Sequence, residues 1–139
     1  MSAWLGVLPA ALAAELRERG WAEPCEAVFA YLATFHPAAL ARLIEDGALE
    51  PPDLTYAAER LGSVDDSAAV RRALRPLLRH RCATVREGAI YGLERHLDGD
   101  LVTKLFRMAM EDSNTAVREV ATLVVREFFE RAVEGTGDQ

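Results

Sequence analysis

The chain alternates between stretches in which apolar residues recur at helical spacing and short polar breaks. In residues 68–80 the apolar positions follow the i, i+3, i+4, i+7, i+8 pattern of a helix with one buried face, and the arginines fall on the other side. Residues 100–112 carry a similar apolar stripe. No strand-like alternation lasts more than a few residues, whereas Ala, Leu, Arg and Glu, which favour helices, are abundant. The pattern therefore predicts an all-α protein.

The polar breaks contain residues that end or cap helices. They are Gly20, His36-Pro37, Asp46-Gly47, Pro51-Pro52, Asp65-Asp66, Asp98-Gly99 and Asp112-Ser113-Asn114. We therefore expect about eight short helices, including 53–63, 83–97 and 115–131. A first core helix should cover residues 5–14 and continue through Arg17. Pro76 lies inside the predicted helix 68–80 and should bend or shorten it.

Two segments of similar sequence lie 32 residues apart. Residues 84–89 read Thr-Val-Arg-Glu-Gly-Ala, and residues 116–121 read Ala-Val-Arg-Glu-Val-Ala. The preceding helices obey the same offset, since Val70 falls on Val102. One 32-residue step toward the N-terminus the sequence similarity is weaker. A further 32-residue step is supported by the spacing of apolar residues alone. A unit of two short helices cannot bury its apolar face alone, but stacked units cover one another.

These repeats resemble the HEAT-repeat family, which is armadillo-like and includes the related bilin-lyase-type repeats. The residues that carry the resemblance are Val85, Arg86, Ala89, Leu93, Asp112, Val117, Arg118 and Ala121. The resemblance implies an α-solenoid of about four antiparallel helical hairpins in a single domain. That domain would span residues 1–132, with a divergent N-terminal cap over about 1–52 and clear repeats over 53–132. Residues 133–139 are expected to form a flexible tail.

The resemblance also implies structural roles for the repeat residues. In that family the valine and alanine pack the second helix of a unit against its neighbours. The arginine commonly pairs with an acidic residue near the turn between helices. Asp112 occupies the position of that acid, whereas its counterpart in the preceding unit is His80, so the series of pairs should be interrupted there. We expect Arg86 and Arg118 to be structural residues rather than ligand contacts.

The charge of the chain is acidic overall but unevenly distributed. The net charge of −6 and the pI of about 5.1 argue against bulk attraction to nucleic acid or to an anionic membrane. Residues 1–66 carry 4 basic and 11 acidic residues, residues 67–97 carry 7 and 2, and residues 98–139 carry 5 and 9. A basic middle segment therefore lies between acidic ends.

The chain lacks the features of a membrane or secreted protein. It has no apolar run long enough to span a bilayer, and its N-terminal stretch lacks the basic segment of a signal peptide. We therefore expect a cytoplasmic protein. Cys25 and Cys82 are too few for a disulfide scaffold and are expected to be buried free thiols.

The sequence contains no common catalytic motif. A glycine-rich phosphate loop, HExxH, CxxC and the Gly-x-Ser-x-Gly elbow are all missing. His80, Cys82 and His96 supply at most three ligands, fewer than the four of a closed zinc site. We therefore expect no catalytic activity, no metal and no cofactor.

Four arginines lie together in the basic segment. Arg71, Arg75 and Arg79 are spaced i, i+4, i+8 and should share one helix face, with Arg72 beside them. Three interpretations are open: a phosphate-tracking stripe as in the DNA-glycosylase branch of HEAT-like proteins, a docking patch for an acidic protein surface, or a solvated helix face. The absence of aromatic residues between Tyr56 and Tyr91 weighs against the first.

The second helices of a HEAT-like stack, here 53–63, 83–97 and 115–131, line its concave face, so their exposed residues are candidate partner contacts. These are Glu87, Tyr91, Glu94, Arg95, Glu119, Thr122, Arg126 and Glu130. We expect a non-catalytic protein–protein interaction module, either an adaptor or an inhibitor such as an immunity-type protein. The alternative is nucleic-acid binding through the Arg71, Arg75 and Arg79 face. A bilin-attachment enzyme would rest on the repeat resemblance alone.

Overall fold

Helices account for all the regular secondary structure over residues 3–137, the part of the chain that the computed structural model describes. The eight α-helices are α1 (Ala10–Glu18), α2 (Glu26–Phe35), α3 (Pro37–Glu45), α4 (Asp53–Leu61), α5 (Ser67–Leu74), α6 (Ala83–Leu93), α7 (Gly99–Glu111) and α8 (Thr115–Gly137). Two 3₁₀ helices span Ala3–Val7 and Arg75–Arg79. No strand occurs over the described residues, so the predicted all-α class is confirmed.

Most helix ends lie at the predicted breaks, but α6 ends at Leu93 and not at residue 97 as predicted. Gly20 follows α1 and Gly47 follows α3. Their φ values are 87° and 69°, which residues other than glycine rarely adopt. Asp66 caps α5 by accepting a hydrogen bond from the amide of Ala69 (3.1 Å). Asp98 caps α7 in the same way, by accepting one from Leu101 (2.9 Å). Local turn chemistry therefore sets these boundaries.

Prolines shape two of the helices. Pro76 ends regular α-helical hydrogen bonding as expected, because α5 stops at Leu74 and a 3₁₀ helix takes over. The prediction of one continuous first helix was wrong. Pro9 has no N–H and separates the 3₁₀ helix Ala3–Val7 from α1, so the chain forms two short elements there.

Helix α8 is longer than the predicted 115–131. It continues to Gly137, so residues 133–137, which were assigned to the tail, are helical, and residues 138–139 lie outside the described part. Nothing from Arg131 to Glu134 interrupts helical hydrogen bonding. Arg131 also donates a hydrogen bond to the carbonyl of Glu94 (3.4 Å), which ties this end of α8 to the end of α6.

The helices pack in an ordered sequence around one core. Along one row α2 contacts α4, α4 contacts α6, and α6 contacts α8. Helix α3 packs against α2, α4 and α5, the second 3₁₀ helix packs against α6, and α7 packs against α8. One continuous apolar cluster runs from Trp4 to Val125 and makes the protein a single domain. None of the helices over residues 3–137 is long and apolar enough to cross a bilayer.

Glycines allow α4 and α6 to approach closely. A Cβ atom on Gly92 would lie 2.3 Å from the carbonyl oxygen of Ala58, and one on Gly88 would lie 2.9 Å from that of Thr55. Gly88 and Gly92 are one turn apart and lie on the same face of α6. The short separation of these two helices therefore depends on the absence of side chains at these two positions.

Turn hydrogen bonds recur with the 32-residue offset of the sequence repeat. Arg86 Nη1 donates to the carbonyl oxygen of His80 (2.8 Å), and Arg118 Nη1 donates to that of Asp112 (2.6 Å). The side chains of His80 and Asp112 each accept a hydrogen bond from the amide two residues later (3.0 and 2.9 Å). The two turns therefore share one local geometry although the residue at the turn differs.

Candidate interaction surfaces

The apolar residues that carry the repeat lie in the core. Val85, Ala89, Leu93, Val117 and Ala121 are each 0% exposed. They pack helices α6 and α8 and are inaccessible to a partner. Any binding surface on these helices must therefore use other positions.

Arg86 and Asp112 form a bidentate ion pair between α6 and the turn before α8. The Nε–Oδ2 and Nη2–Oδ1 distances are both 3.0 Å, and the side chains are 12% and 7% exposed. Burial raises the pKa of Asp112, but hydrogen bonds from Arg86 and the Asn114 amide, and the charges of Arg86 and Arg118, bring its pKa below the ordinary value. The pair is thus a structural contact, with the carboxylate held ionised.

The predicted arginine face is largely neutralised by the chain itself. Arg72 Nε lies 3.0 Å from a Glu45 carboxylate oxygen, which joins α5 to α3. Arg71 donates to the carbonyl of His96 (3.0 Å) and lies 3.5 Å from the carboxylate of Asp98. These two arginines therefore tie α5 to neighbouring elements.

The C-terminal half of the face is divided between paired and unpaired cations. Arg75 forms ion pairs with Asp98 (3.7 Å) and with Asp100. Arg79 is exposed and forms no salt bridge with any described residue. The four arginines are consequently not a continuous stripe of free positive charge.

The structure does not bring His80, Cys82 and His96 together as a metal site. His96 is buried, and its ring nitrogens contact Ser67 Oγ (2.7 Å) and the Gly62 carbonyl oxygen (2.9 Å). His80 Nδ1 accepts a hydrogen bond from the backbone amide of Cys82, as described above. Within residues 3–137 no group of three or more His, Cys, Asp and Glu side chains is placed to hold a metal.

The two cysteines differ from the expectation in their burial. Cys25 and Cys82 are free thiols, but both are half-buried because they lie at the N-termini of α2 and α6 rather than inside a helix. Cys82 Sγ lies 3.1 Å from Thr84 Oγ1. Hydrogen bonds from Thr84 and from the Val85 amide lower the pKa of the Cys82 thiol.

Carboxylates gather on the exposed side of the α2–α4–α6–α8 row. We call this the acidic surface, and it comprises Glu26, Glu59, Glu87, Glu94 and Glu127 together with Tyr56 and Tyr91. Burial, then the charges of Glu26 and Glu87, raise the pKa of Glu59, and nearby Arg60 offsets this only in part. These carboxylates form no salt bridge with any side chain in the described part of the chain.

The two tyrosines lie among these carboxylates. Tyr56 is 37% exposed and Tyr91 is 39% exposed. Burial, then the charges of Glu87, Glu59, Glu94 and Glu127, raise the pKa of Tyr91. Each ring therefore presents a partly accessible apolar surface within an acidic environment.

A shallow groove crosses the acidic surface between α4 and α6. It has a volume of about 250 Å³ and is lined by Pro52, Thr55, Tyr56, Glu59, Thr84 and Glu87. The hydroxyl of Thr55 is buried, and no described atom is its hydrogen-bond partner. The groove offers carboxylates, an aromatic edge and neutral polar groups to a bound segment.

The sequence-predicted candidates on α6 and α8 fall on two different surfaces. Tyr91 and Glu94 belong to the acidic surface, and Arg95 is exposed just after α6. Arg126 lines a separate groove of about 430 Å³ on α8, together with Glu119 and Thr122. The exposed side chain of Glu130 also lies on α8.

Sequence reasoning did not single out Glu26, Tyr56 and Glu59. Helix 53–63 was expected to line the concave face, but no contact residue was named on it. The 32-residue offset contained the missing signal, because it places Glu59 at the position of Tyr91.

Comparison with known proteins adds no relative from which a role could be taken. No protein-family model, curated protein or solved structure matches the chain.

Proposed function

We propose that the protein is a non-catalytic binding module whose acidic surface docks a basic segment of a partner protein. The observation that carries this proposal is the mutual placement of Glu26, Glu59 and Glu87 on three successive helices of one row, where burial, then the charges of Glu26 and Glu87, raise the pKa of Glu59. Like charges held together repel one another, and the nearby Arg60 offsets this repulsion only in part. A lysine or arginine from a partner relieves that repulsion.

The tyrosines support a protein partner over a small cation. Tyr56 and Tyr91 each leave more than a third of their surface accessible. Aromatic side chains supply large contact areas with little conformational entropy to lose, and they are enriched in binding surfaces. Basic side chains also stack over aromatic rings. A segment with interspersed Lys or Arg and apolar residues therefore fits this surface.

The proposed architecture is a HEAT-like α-solenoid of about four antiparallel hairpins. Its support is the chain of contacts along α2, α4, α6 and α8 and the recurrence of turn hydrogen bonds at 32 residues. In such a stack one helix of each unit contributes to a shared surface, and the carboxylates of the acidic surface lie on the row α2, α4, α6 and α8 that would supply these helices. Members of this architecture serve widely as binding surfaces for other proteins.

An adaptor or an inhibitor is the class that fits these features. An acidic protein of 15.3 kDa that covers a basic surface can block it, as an immunity-type protein does, or recruit it to another protein. We do not propose nucleic-acid binding through the Arg71, Arg75 and Arg79 face, because carboxylates of the chain neutralise Arg71 and Arg75.

A peptide selection tests the proposal before any natural partner is identified. A random peptide library is selected on the wild-type protein, and the dissociation constants of enriched peptides are measured at low and moderate salt. We expect enrichment of Lys and Arg. We also expect the double variant Glu59→Gln/Glu87→Gln to bind about tenfold or more weakly, since each position loses a charge-assisted contact.

The matched control is Glu18→Gln/Glu111→Gln, which removes two exposed carboxylates outside the acidic surface. It changes the net charge equally and should leave affinity within about twofold, because distant exposed charges are screened by salt. Enrichment of acidic or neutral peptides contradicts the proposal. Equal weakening by both double variants contradicts it as well, because that result assigns binding to net charge alone.

A further inference from the structure

A second charged feature lies between the 3₁₀ helix Arg75–Arg79 and α7. It is a pocket of about 190 Å³ lined by Arg75, Leu78, Arg79, Lys104, Arg107 and Met108. Four of these six side chains are cationic and none is acidic. The pocket shares no lining residue with the acidic surface, so an inference from it does not depend on the proposed function.

The cations that face this pocket are mostly without a counter-charge. Arg75 pairs with Asp98 and Asp100, whereas Arg79, Lys104 and Arg107 form no salt bridge with a side chain in residues 3–137. Lys104 and Arg107 are one turn apart on α7, and Arg79 approaches from the 3₁₀ helix. Three positive charges converging on one cavity repel one another unless an anion lies between them.

We propose that this pocket binds a compact phosphate group, carried by inorganic phosphate, diphosphate or a small phosphate ester. Guanidinium groups match phosphate geometry with two parallel hydrogen bonds, and the lysine ammonium adds a further donor. The cavity is smaller than the roughly 300 Å³ at which sites for larger organic ligands begin, so it suits one small anionic group. Leu78 and Met108 provide an apolar wall beside the cations.

The surroundings of the pocket favour a compact anion over a nucleic-acid strand. Asp98 and Asp100 lie beside Arg75, and Glu45 neutralises Arg72 one turn earlier in the chain. These carboxylates repel an extended polyanion that tracks along the arginines. No aromatic side chain lines the pocket, whereas single-stranded nucleic-acid sites use aromatic stacking.

An NMR titration with inorganic phosphate and with diphosphate tests the site. We expect saturable shifts at Arg79, Lys104 and Arg107, with diphosphate the tighter ligand. The variant Arg79→Gln/Arg107→Gln should bind about tenfold or more weakly, because it loses two charge-assisted contacts. Both side chains are exposed, so circular dichroism of this variant should match that of the wild type.

Three controls distinguish phosphate binding in this pocket from general charge attraction and from nucleic-acid binding. Sodium chloride at matched ionic strength should leave diphosphate binding intact. So should the variant Arg17→Gln/Arg60→Gln, which removes two exposed arginines outside the pocket. Shifts that do not saturate, or equal weakening by both double variants, overturn the proposal. Tighter binding of a short DNA duplex than of diphosphate also overturns it, and reassigns the arginines to nucleic acid.

Discussion

At the scale of single residues, Asp112 shows how one side chain can join two repeat units. Its carboxylate accepts two hydrogen bonds from Arg86 and one from the amide of Asn114, and its backbone carbonyl accepts one from Arg118. His80 performs the turn-closing part of this role one unit earlier but carries no carboxylate. The residue 32 positions before Arg86 is Leu54, so no arginine is present for such a pair there.

Replacement of Asp112 by asparagine should lower the free energy of unfolding by about 2 kcal/mol at neutral pH, because a buried guanidinium loses its charged partner. The pKa of Asp112 is lowered by folding, so its contribution is complete above the unfolded value of about 3.9 and is lost as the pH falls through the folded value. Urea unfolding of both proteins from neutral to acidic pH should show this difference shrink.

The control for this prediction is Asp46→Asn, which removes an exposed partner of Arg42. Exposed pairs contribute about 0.5 kcal/mol or less, so this variant should unfold almost as the wild type does. A difference for Asp112→Asn that stays constant down to strongly acidic pH would show that the ion pair is not its source.

At the scale of elements, the sequence predicted most helices because their signals are local. Periodicity, Asp66 and Asp98 as caps, and Pro76 as a breaker all act within a few residues. The break at Pro9 was missed because the surrounding apolar pattern continues across it. The close approach of α4 and α6 was not predictable, because the role of Gly88 and Gly92 depends on which helix packs against them.

The substitution Gly92→Ala tests this helix contact. Its Cβ would meet the backbone carbonyl of Ala58 at 2.3 Å, so α4 and α6 must separate. We expect a loss of about 2 kcal/mol or more, as for other overpacked cores. Gly99→Ala is the matched control, because a Cβ there meets nothing within 4 Å and should change the unfolding midpoint little. Similar midpoints for the two variants would contradict the close contact.

At the scale of the whole molecule, charge segregation along the chain did not translate directly into surfaces. The basic segment 67–97 was predicted to present an arginine face, but Glu45, Asp98 and Asp100 come from outside that segment and neutralise much of it. Folding thus pairs opposite charges from segments that are distant in sequence. The acidic surface was partly predictable, through Tyr91 and Glu94, because α6 carries one of the two similar sequence segments.

The acidic surface should reduce stability in the absence of a partner. Folding raises the pKa of Glu59, so its ionised form opposes folding above that pKa and the opposition disappears as the pH falls below the unfolded value. Glu59→Gln should therefore raise the urea midpoint at neutral pH and lose this advantage in acid. A lower midpoint for the variant at neutral pH would show that Glu59 stabilises the fold.

In the proposed HEAT-like stack, the recurrence of the turn hydrogen bonds makes the chain extensible. Arg86 and Arg118 each bond to the carbonyl six residues earlier, so a duplicate of residues 83–114 placed directly after Asn114 would regenerate the turn bonds of both units. It would also regenerate the bridge from Arg86 to Asp112 within the added unit. Gene duplication could thus lengthen such a protein one unit at a time, and each addition would bring another copy of Glu87 and Glu94.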